Sequence, residues 1–553
     1  MKRKLLYFIV MTLGLAGCIT NDLPYPVVVP HVTSMEVEGA ENVNIDYANQ
    51  VITIYVEENV DLRTVEITSF DLDQDIATVS MELVGVHDLT NPLYFKLNTY
   101  DEYEWKIVAV RDVERYFTVS GQVGSSVIDP VNCRVVVTVA KNVSLSSINI
   151  TSFKLGPAGL TEYSLDLSQV RDFLEAVSVD VTSFGLTQTW TIYVEVSEVS
   201  VELKSINAWA NEAYVISNGI AGQDNGFRYR LKGAEVWTDV AEGDIESQGG
   251  TFTAHIKGLT PGTDYEVMAT CGEDSTPVKE FTTELTTRLP NASFEYVSKV
   301  AGKDYYKFYD PSCGVYDGSY MFWGSGNGEG TEGVSGSANL GIVITTIDTA
   351  DKVDGKQSVC AMTSQMAGIL AAGNLFTGQF DGLVGTTGGM VNFGRPWTTR
   401  PKSLKLYCKY RTGKMDIIKG SPVGTTLTSD DYDRAEIKFA LGTWAYKQYG
   451  GSPDSPVHIN TTDASTFIDY NTDASTIAYG NLIIHHDGYI LNGSDKVSAD
   501  TDGWIEYMIP LNYRDLETKP THIIISCASS QFGDYFSGYS GSKLWIDAME
   551  LVY

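Results

Sequence analysis

The chain contains little cysteine and few basic residues. Seven of its 553 residues are cysteine, and none forms a Cys-x-x-Cys pair or stands at zinc-finger spacing from histidine, which excludes the common zinc sites. Cys408 and Cys527 fall in alternating apolar segments, where we expect buried free thiols. Lysine and arginine number 39 against 70 acidic residues, for a net charge of −31. This balance excludes nucleic acid as a partner, because phosphates must be met by basic side chains.

The sequence also lacks the short motifs of several large enzyme classes. It contains no Gly-x-Ser-x-Gly elbow, no His-Glu-x-x-His pair and no Walker A loop. The glycines of residues 324–330 stand at every second position, which is not the dinucleotide-binding spacing, so no organic cofactor is expected. His485-His486-Asp487 follows an apolar run and precedes Gly488, which predicts a strand end and a hairpin turn.

The N-terminus has the pattern of a bacterial lipoprotein signal. A basic segment, residues 2–4, precedes an apolar run, residues 5–15, that is too short to span a bilayer. Leu15-Ala16-Gly17 then leads to Cys18, and this order resembles a lipobox.

The lipobox resemblance implies that residues 1–17 are a signal peptide and that Cys18 is the lipid attachment site. Residues 18–30, which contain three prolines, are then expected to be a tether. Several acyl chains together anchor a protein stably without a transmembrane helix. The expected location is the outer membrane, lipid-anchored at the cell surface.

Two internal repeats follow the tether. The tetrapeptide Ile-Thr-Ser-Phe occurs at residues 67–70 and again at 150–153, and Trp105 is matched by Trp190. Short alternating segments separated by turns predict an antiparallel sandwich of immunoglobulin type for each repeat. We place the repeats at residues 31–111 and 112–200.

Residues 201–286 are predicted to form a third small domain. Leu259-Thr260-Pro261-Gly262 precedes Tyr265, and this order resembles the tyrosine-corner turn of fibronectin type III domains. Residues 283–290 have little apolar content and are expected to be an exposed linker that a protease would cut.

The rest of the chain, residues 288–553, resembles the putative carbohydrate metabolism domain found in surface lipoproteins of Bacteroidetes. The Gly- and Ser-rich stretch 529–542 runs into an alternating terminal strand that contains Asp547. The resemblance also rests on residues 291–295, Trp323, residues 372–378 and residues 400–405. It implies a jelly-roll β-sandwich, so the chain as a whole is predicted to be all-β, with tandem sandwiches before the jelly roll.

Two kinds of site are expected in this C-terminal domain. Trp323 and Trp397 stand beside glycines and are candidates to stack on sugar rings, with Asn374 bonding sugar hydroxyls. Jelly-roll carbohydrate modules often hold a structural Ca²⁺ between the first and last strands, which implies that Glu295 and Asp547 are its ligands. The alternative is that these two carboxylates bond the backbone or cap a turn.

Binding of a glycan by the jelly-roll domain, beside other surface glycan-utilisation proteins, is the leading function. A glycoside hydrolase is the first alternative and needs two carboxyls within about 5–10 Å in one groove. An adhesin or fimbria-like structural lipoprotein, which would need an exposed strand edge, is the second alternative. The carboxylates available for a pair are Glu295, Asp430, Asp431, Asp433, Glu436, Asp502, Glu506 and Asp534.

Overall fold

The computed structural model describes residues 28–553, except 48, 75, 301, 303–304, 309–320, 329–335, 367, 386–387 and 423–424. The signal peptide, Cys18 and most of the tether lie outside the described residues. The described chain contains 45 strands and a single four-residue α-helix, α1 (Tyr446–Tyr449). None of its helices is long and apolar enough to cross a membrane. The prediction of an all-β chain is confirmed.

The first compact unit ends at Asp112. Its described part folds into a three-stranded sheet, β1-β4-β6, and a five-stranded sheet, β2-β3-β8-β7-β5, with Trp105 in the core. The strands are β1 (Val32–Val37), β2 (Ala40–Asp46), β3 (Val51–Val56), β4 (Val65–Leu72), β5 (Thr78–Val79), β6 (Gly85–His87), β7 (Leu93–Asn98) and β8 (Glu102–Arg111).

The second compact unit runs from Val113 to Tyr553 and opens with the second repeat. The repeat's five-stranded sheet, β10-β11-β15-β14-β13, has the strand order of the sheet in the first unit, and β12 pairs with β9. The strands are β9 (Tyr116–Val119), β10 (Val127–Asp129), β11 (Arg134–Ala140), β12 (Ile150–Lys154), β13 (Thr161–Tyr163), β14 (Val177–Ser183) and β15 (Leu186–Ser197).

The two repeats are not wholly antiparallel, which corrects the prediction. In the first repeat β3 pairs with β8 in parallel, and in the second β11 pairs with β15 in parallel. In each repeat the long last strand, β8 or β15, lies between an early strand, β3 or β11, and the strand just before it in the sequence, β7 or β14. The last strand is therefore parallel to the early strand and antiparallel to the other neighbour. Trp105 and Trp190 are both buried on these last strands, and the sequence repeat therefore marks equivalent core positions.

The third domain has one sheet of order β16-β17-β21-β20 and another of order β19-β18-β22-β23, with β24 on β22. Tyr265 is buried, and its hydroxyl accepts a hydrogen bond from the Thr260 N–H at 3.0 Å, which confirms the predicted tyrosine corner. The strands are β16 (Glu202–Ala208), β17 (Glu212–Asn218), β18 (Asn225–Leu231), β19 (Thr238–Asp239), β20 (Ile245–Gln248), β21 (Thr251–Lys257), β22 (Asp264–Cys271), β23 (Asp274–Ser275) and β24 (Lys279–Thr282).

The C-terminal domain contains the remaining strands. They are β25 (Ser298–Lys299), β26 (Tyr306–Lys307), β27 (Trp323–Gly324), β28 (Thr345–Asp348), β29 (Ser358–Met362), β30 (Ser364–Met366), β31 (Ile369–Ala371), β32 (Asn374–Val384), β33 (Gly388–Phe393), β34 (Arg395–Pro396), β35 (Ser403–Arg411), β36 (Ala435–Gly442), β37 (Gly450–Ser452), β38 (Ser455–Asn460), β39 (Thr476–His485), β40 (Gly488–Leu491), β41 (Val497–Ser498), β42 (Ile505–Pro510), β43 (Asn512–Tyr513), β44 (His522–Ala528) and β45 (Lys543–Val552).

Two of its sheets form a jelly roll. The smaller sheet has the order β28-β29-β45-β35-β42, and the larger sheet contains the run β32-β44-β36-β39. Eight principal strands are numbered 1 to 8 along the chain: β29, β32, β35, β36, β39, β42, β44 and β45. In this numbering the smaller sheet has the order 1-8-3-6 and the larger sheet has the order 2-7-4-5, with antiparallel pairing throughout. The predicted jelly roll is confirmed. Its core holds Cys408 and Cys527 as buried free thiols, as predicted.

Arg400 joins the third domain to the jelly roll. Its side chain is buried, and one guanidinium nitrogen lies 2.8 Å from the Glu284 carboxylate. The same guanidinium donates to Asn207 Oδ1 and to the Ala208 carbonyl, both at 2.9 Å. It also lies 4.5 Å above the centre of the Trp209 ring. This arrangement satisfies a buried charge from several sides, which a buried cation requires.

The expectation of an exposed linker at residues 283–290 fits only its middle, because residues 285–288 are exposed while its two ends are buried or half-buried. Thr283 and Leu289 are buried, and Glu284 also lies 2.9 Å from the Lys519 ammonium. The Thr287 N–H donates to the Tyr553 hydroxyl at 3.1 Å. The segment has few apolar residues, but its polar groups pack against the jelly roll, and composition does not reveal such contacts.

Arg400→Ala should destabilise the second compact unit by about 3–5 kcal/mol, because it removes the buried partner of the Glu284 carboxylate and leaves it only the more exposed Lys519. It should also speed proteolytic cleavage within residues 283–290 relative to the unaltered chain. Urea unfolding and limited proteolysis measure the two effects. Arg228→Ala is the matched control, since Arg228 pairs with Asp239 at 2.6 Å on the exposed surface. Equal effects of both substitutions would contradict the role given to Arg400.

Candidate functional site

Polar side chains converge on the outer face of the larger sheet. On β36, Ile437, Phe439 and Leu441 point into the core. Because successive side chains of a strand point to opposite faces, Glu436 and Lys438 point to the outer face. The carboxylate of Glu436 lies 3.4 Å from the Lys438 ammonium. Strand β36 therefore contributes apolar side chains to the jelly-roll core from one face and the Glu436–Lys438 ion pair from the other face.

The antiparallel register brings outer-face residues of four strands together. Asn374 on β32 is opposite Ala528 on β44, and Ala528 is opposite Glu436 on β36. Asn481 on β39 is opposite Lys438, and its side-chain amide donates to Glu436 at 3.5 Å. Neighbouring strands lie ~4.8 Å apart, so Asn374 is roughly 10 Å from Glu436 across the sheet.

A loop formed by residues 529–542 lies next to these side chains, and buried Asp433 fixes its course. The Asp433 carboxylate accepts hydrogen bonds from the Ser530 hydroxyl at 2.5 Å, the Ser542 hydroxyl at 2.7 Å and the Tyr539 N–H at 2.9 Å. Burial raises the pKa of Asp433, and these hydrogen bonds act in the opposite direction. Both ends and the middle of the loop are thus tied to one carboxylate. Asp534 lies on a short 3-10 turn within the loop.

The loop and the sheet enclose a polar cavity of about 70 Å³. Gln531 contributes a side-chain oxygen that is buried and has no hydrogen-bond partner within the described part of the chain. A buried acceptor without a partner costs free energy, so a small shift of the Gln531 side chain that brings this oxygen to a ligand would be favourable. The cavity is lined by Ala372, Asn374, Phe376, Val391, Phe393, Glu436, Lys438, Ser526, Ala528, Ser530, Gln531, Gly533 and Asp534.

The two carboxylates of this cavity have different electrostatic surroundings. Asp534 is open to the cavity, but the surrounding protein desolvates it and raises its pKa; nearby Glu436 raises it further, while Lys438 opposes both. Burial is the largest single influence on Lys438 and disfavours its charged form, but Glu436, Tyr479 and Asp534 act together in the opposite direction and hold the pKa of Lys438 above its ordinary value. The arrangement shifts the titration of Asp534 upward beside the Glu436–Lys438 ion pair.

A second, apolar cavity of about 270 Å³ adjoins the polar one. The two share Ala372, Asn374, Val391, Gly533 and Asp534 as lining residues. We call the two cavities together the groove. The other residues of the apolar cavity are Gly326, Ser337, Leu340, Ile342, Ile344, Ile369, Leu370, Ala371, Phe380, Leu383, Gly385, Gly388, Gly389, Thr461 and Phe536.

The two predicted stacking tryptophans are not in the groove, which corrects that expectation. Trp323 is fully buried in the jelly-roll core, and its indole N–H donates to the Pro290 carbonyl at 2.8 Å. Trp397 is 6% exposed and belongs to the same core. The glycine beside Trp323 reflects close strand packing, because a Cβ on Gly324 would lie 2.8 Å from the Gly378 carbonyl oxygen.

Other sequence predictions meet different outcomes. Asn374 lines both cavities, and its role in sugar binding stays a prediction. Of the candidate carboxylates, Glu436 and Asp534 share one cavity, whereas Glu506 bonds the Tyr407 hydroxyl on the smaller sheet. The predicted hairpin after β39 is confirmed, since that strand ends at His485 and β40 begins at Gly488.

Lys438 and Gln531 were not among the sequence candidates. Lys438 interrupts the apolar alternation of β36 with a charge two residues after Glu436, and that signal could have revealed it. Gln531 has no comparable signal, because only the folded loop buries its side chain.

Glu295 and Asp547 hold the same loop, but their donor set does not fit a calcium ion. The Glu295 Oε1 accepts from the backbone N–H of Lys356 at 2.8 Å, and Asp547 Oδ2 accepts from that of Val353 at 2.7 Å. The second Asp547 oxygen accepts from the Ala548 N–H at 2.7 Å. N–H groups aimed at these oxygens occupy the positions that a cation would need. Within the described ranges, no group of three or more His, Cys, Asp or Glu residues is placed to hold a metal.

The expectation that Glu295 lies on the first strand of the jelly roll is also wrong. Phe294 and Glu295 lie outside any strand, and the contact with the terminal strand β45 is a hydrogen bond from the Met549 N–H to the Ala292 carbonyl at 3.0 Å. The alternative that Glu295 and Asp547 bond the backbone is the arrangement observed. Burial raises the pKa of Asp547, and its backbone hydrogen bonds oppose that rise.

Comparison with known proteins gives one family match and several similar solved structures. Residues 293–552 match the family model described as the putative carbohydrate metabolism domain. The chain is similar to a putative glycoside hydrolase from Bacteroides thetaiotaomicron, with 19% identity, a TM-score of 0.28, and coverage of 79% of this chain and 95% of that one. It is also similar to a putative glycoside hydrolase from Bacteroides vulgatus, with 20% identity, a TM-score of 0.31, and coverage of 48% and 97%. No curated protein matches the chain.

Asp433→Asn should destabilise the C-terminal domain by about 1–3 kcal/mol and loosen the loop of residues 529–542. Both oxygens of the Asp433 carboxylate accept hydrogen bonds from N–H or O–H donors. The NH₂ group of an asparagine is itself a donor, so it cannot replace either oxygen. Urea unfolding measures the stability, and hydrogen exchange of the Tyr539 amide reports on the loop. Asp430→Asn is the control, because Asp430 is exposed and bonds Lys414 at the surface. Unchanged protection of Tyr539 would contradict the anchoring role of Asp433.

Proposed function

Since residues 293–552 match the putative carbohydrate metabolism domain, we propose that the protein captures a glycan in the groove of its jelly-roll domain. The observation that carries the proposal is the convergence of Glu436, Lys438 and Asp534 with the unpartnered Gln531 oxygen in one cavity. Ligand sites are typically concave and combine an apolar lining with a few polar groups that fix orientation. The groove has this composition.

Sugar hydroxyls both donate and accept hydrogen bonds, so a site for them needs both kinds of partner. Glu436 and the Gln531 oxygen accept, Lys438 donates, and a protonated Asp534 does either. Hydrogen bonds to charged groups contribute about 1.5–3 kcal/mol each, which gives such a site useful affinity without stacked rings. The groove therefore offers polar recognition in place of the tryptophan platform expected from the sequence.

Anchoring belongs to the same proposal. If Cys18 is acylated, the chain is held at the outer membrane, and the glycan is captured at the cell surface. Other surface glycan-utilisation proteins are then its expected partners. The N-terminal sequence pattern supports this part of the proposal.

Glu436→Gln and Lys438→Met should each weaken glycan binding by about 10-fold or more, since each removes a charged partner of a sugar hydroxyl. The measurement is a glycan array probed with residues 28–553, followed by titration calorimetry on any retained glycan. Glu506→Gln, on the smaller sheet, is the matched control and should bind normally. A retained glycan that binds equally well to all three variants would place its site elsewhere and contradict the proposal.

Hydrolysis of the bound glycan is a second candidate function. The specific observation that favours it is the pairing of Asp534, whose pKa is raised, with Glu436 beside a cation in one cavity. A glycosidase needs one carboxylic acid that stays protonated and one carboxylate that stays ionised. Asp534 would protonate the leaving oxygen, and Glu436 would act as the base or nucleophile.

If the domain is a hydrolase, Asp534→Asn should lower kcat by about 10²–10⁴-fold, because an amide cannot donate a proton to the leaving group. The rate should fall as the pH rises through the raised pKa of Asp534, where the acid loses its proton. Release of reducing ends from a polysaccharide panel measures both effects. Asp416→Asn is the control, since Asp416 bonds Ser540 in the same loop. No release by the unaltered chain from any glycan it binds would exclude this candidate.

A further inference from the structure

The apolar cavity of the groove has an unusual lining for a carbohydrate site. Its wall is mainly aliphatic and comes from leucine, isoleucine, valine and alanine side chains, with Phe380 and Phe536 as the aromatic members. Its volume of about 270 Å³ is close to the lower end of the ~300–1,000 Å³ found for small-molecule sites. The cavity is therefore large enough for part of a ligand.

A bare sugar ring does not suit this cavity. Its hydroxyls would be buried against aliphatic side chains, and an unpaired buried hydroxyl is unfavourable. The Asn374 side chain is already used, because its oxygen accepts from the Gly326 N–H at 2.8 Å and its amide donates to the Ala372 carbonyl at 3.2 Å. The Ser337 hydroxyl is buried without a partner among the described residues and could meet one polar atom of a ligand.

Two large apolar side chains of the wall remain partly in solvent. Leu340 is 47% exposed and Ile369 is 36% exposed. Burying apolar area is favourable, so an apolar ligand group that covers these side chains gains binding free energy. The same cavity adjoins the polar one, and Asn374, Gly533 and Asp534 line both.

We infer that the groove takes a glycan that carries an alkyl or acyl substituent, with the sugar at Glu436 and Lys438 and the apolar chain against Leu340 and Ile369. This inference rests on the proposed function and names the substrate class of the same site. A ligand with one polar and one apolar end matches two adjoining cavities of opposite character.

The test uses matched pairs of methyl and octyl β-glycosides of several common sugars, below the concentration at which the octyl compounds form micelles. Titration calorimetry with residues 28–553, which contain all described strands, gives the two dissociation constants of each pair. Affinity should rise by about fourfold for each methylene that the cavity buries, the equivalent of ~0.8 kcal/mol. The gain should occur for the sugars that the polar cavity accepts.

Leu340→Lys should remove most of the octyl gain while leaving the methyl glycoside unchanged, because it places a charge against the apolar chain. Val497→Lys is the matched control, since Val497 is also 47% exposed but lies on β41, outside the groove. Both positions are at the surface, so both variants should fold. Glu436→Gln should weaken the methyl and octyl compounds of a pair by the same factor.

The outcomes separate the inference from the function on which it rests. If no octyl glycoside binds more tightly than its methyl partner, the inference is overturned, while glycan binding by the array test would leave the proposed function standing. If the octyl gain is independent of the sugar and survives Glu436→Gln without any loss of affinity, the inference is also overturned. In that case the cavity binds apolar molecules on its own, and the proposed glycan site fails with it.

Discussion

The alternation of side chains along the larger sheet is the constraint on which the C-terminal domain depends. Strand β36 must place Ile437, Phe439 and Leu441 between the two sheets, because burial of apolar area is the main favourable term in folding. Its period of two then leaves Glu436 and Lys438 on the opposite face. A shift of register by one residue would exchange the two sets, burying a cation and a carboxylate in the core. The stability of the jelly roll and the position of the polar site are therefore one and the same requirement.

The buried carboxylate of Asp433 holds the loop of residues 529–542 beside the polar face of the larger sheet. The loop of residues 529–542 is rich in glycine and serine, and of its four aromatic residues only Phe532 is buried. Asp433 supplies the missing free energy through hydrogen bonds to Ser530, Tyr539 and Ser542. The loop in turn brings Asp534 and Gln531 to the charged pair of the sheet. Its position gives Asp534 a desolvated environment and a neighbouring carboxylate, the two conditions that raise the pKa of an acid.

A buried carboxylate, here in an ion pair with an arginine, also joins the third domain to the jelly roll. Arg400 lies at the start of the segment that leads into β35, and Glu284 follows the last strand of the third domain by two residues. Their buried ion pair and the ring of Trp209 give the junction a defined geometry. The third domain is thus more than a spacer: it covers polar groups that the jelly roll would otherwise leave without partners. The tyrosine corner at Tyr265 keeps the turn beside this junction in place.

The sequence by itself determined the all-β class, the two repeats and the tyrosine corner, because apolar periodicity and turn residues are local properties of the chain, whereas the jelly roll was expected only from a family resemblance. It also named Glu436, Asp534 and Asn374 as candidates, but among many acidic residues of equal standing. Only the tertiary structure decided which of them meet. Long-range packing put Trp323 and Trp397 in the core, paired Glu295 and Asp547 with backbone N–H groups, and joined the start of the linker to the jelly roll through Arg400 and Glu284. These outcomes depend on contacts between residues far apart in the chain, and burial at such contacts is a property of the packed fold.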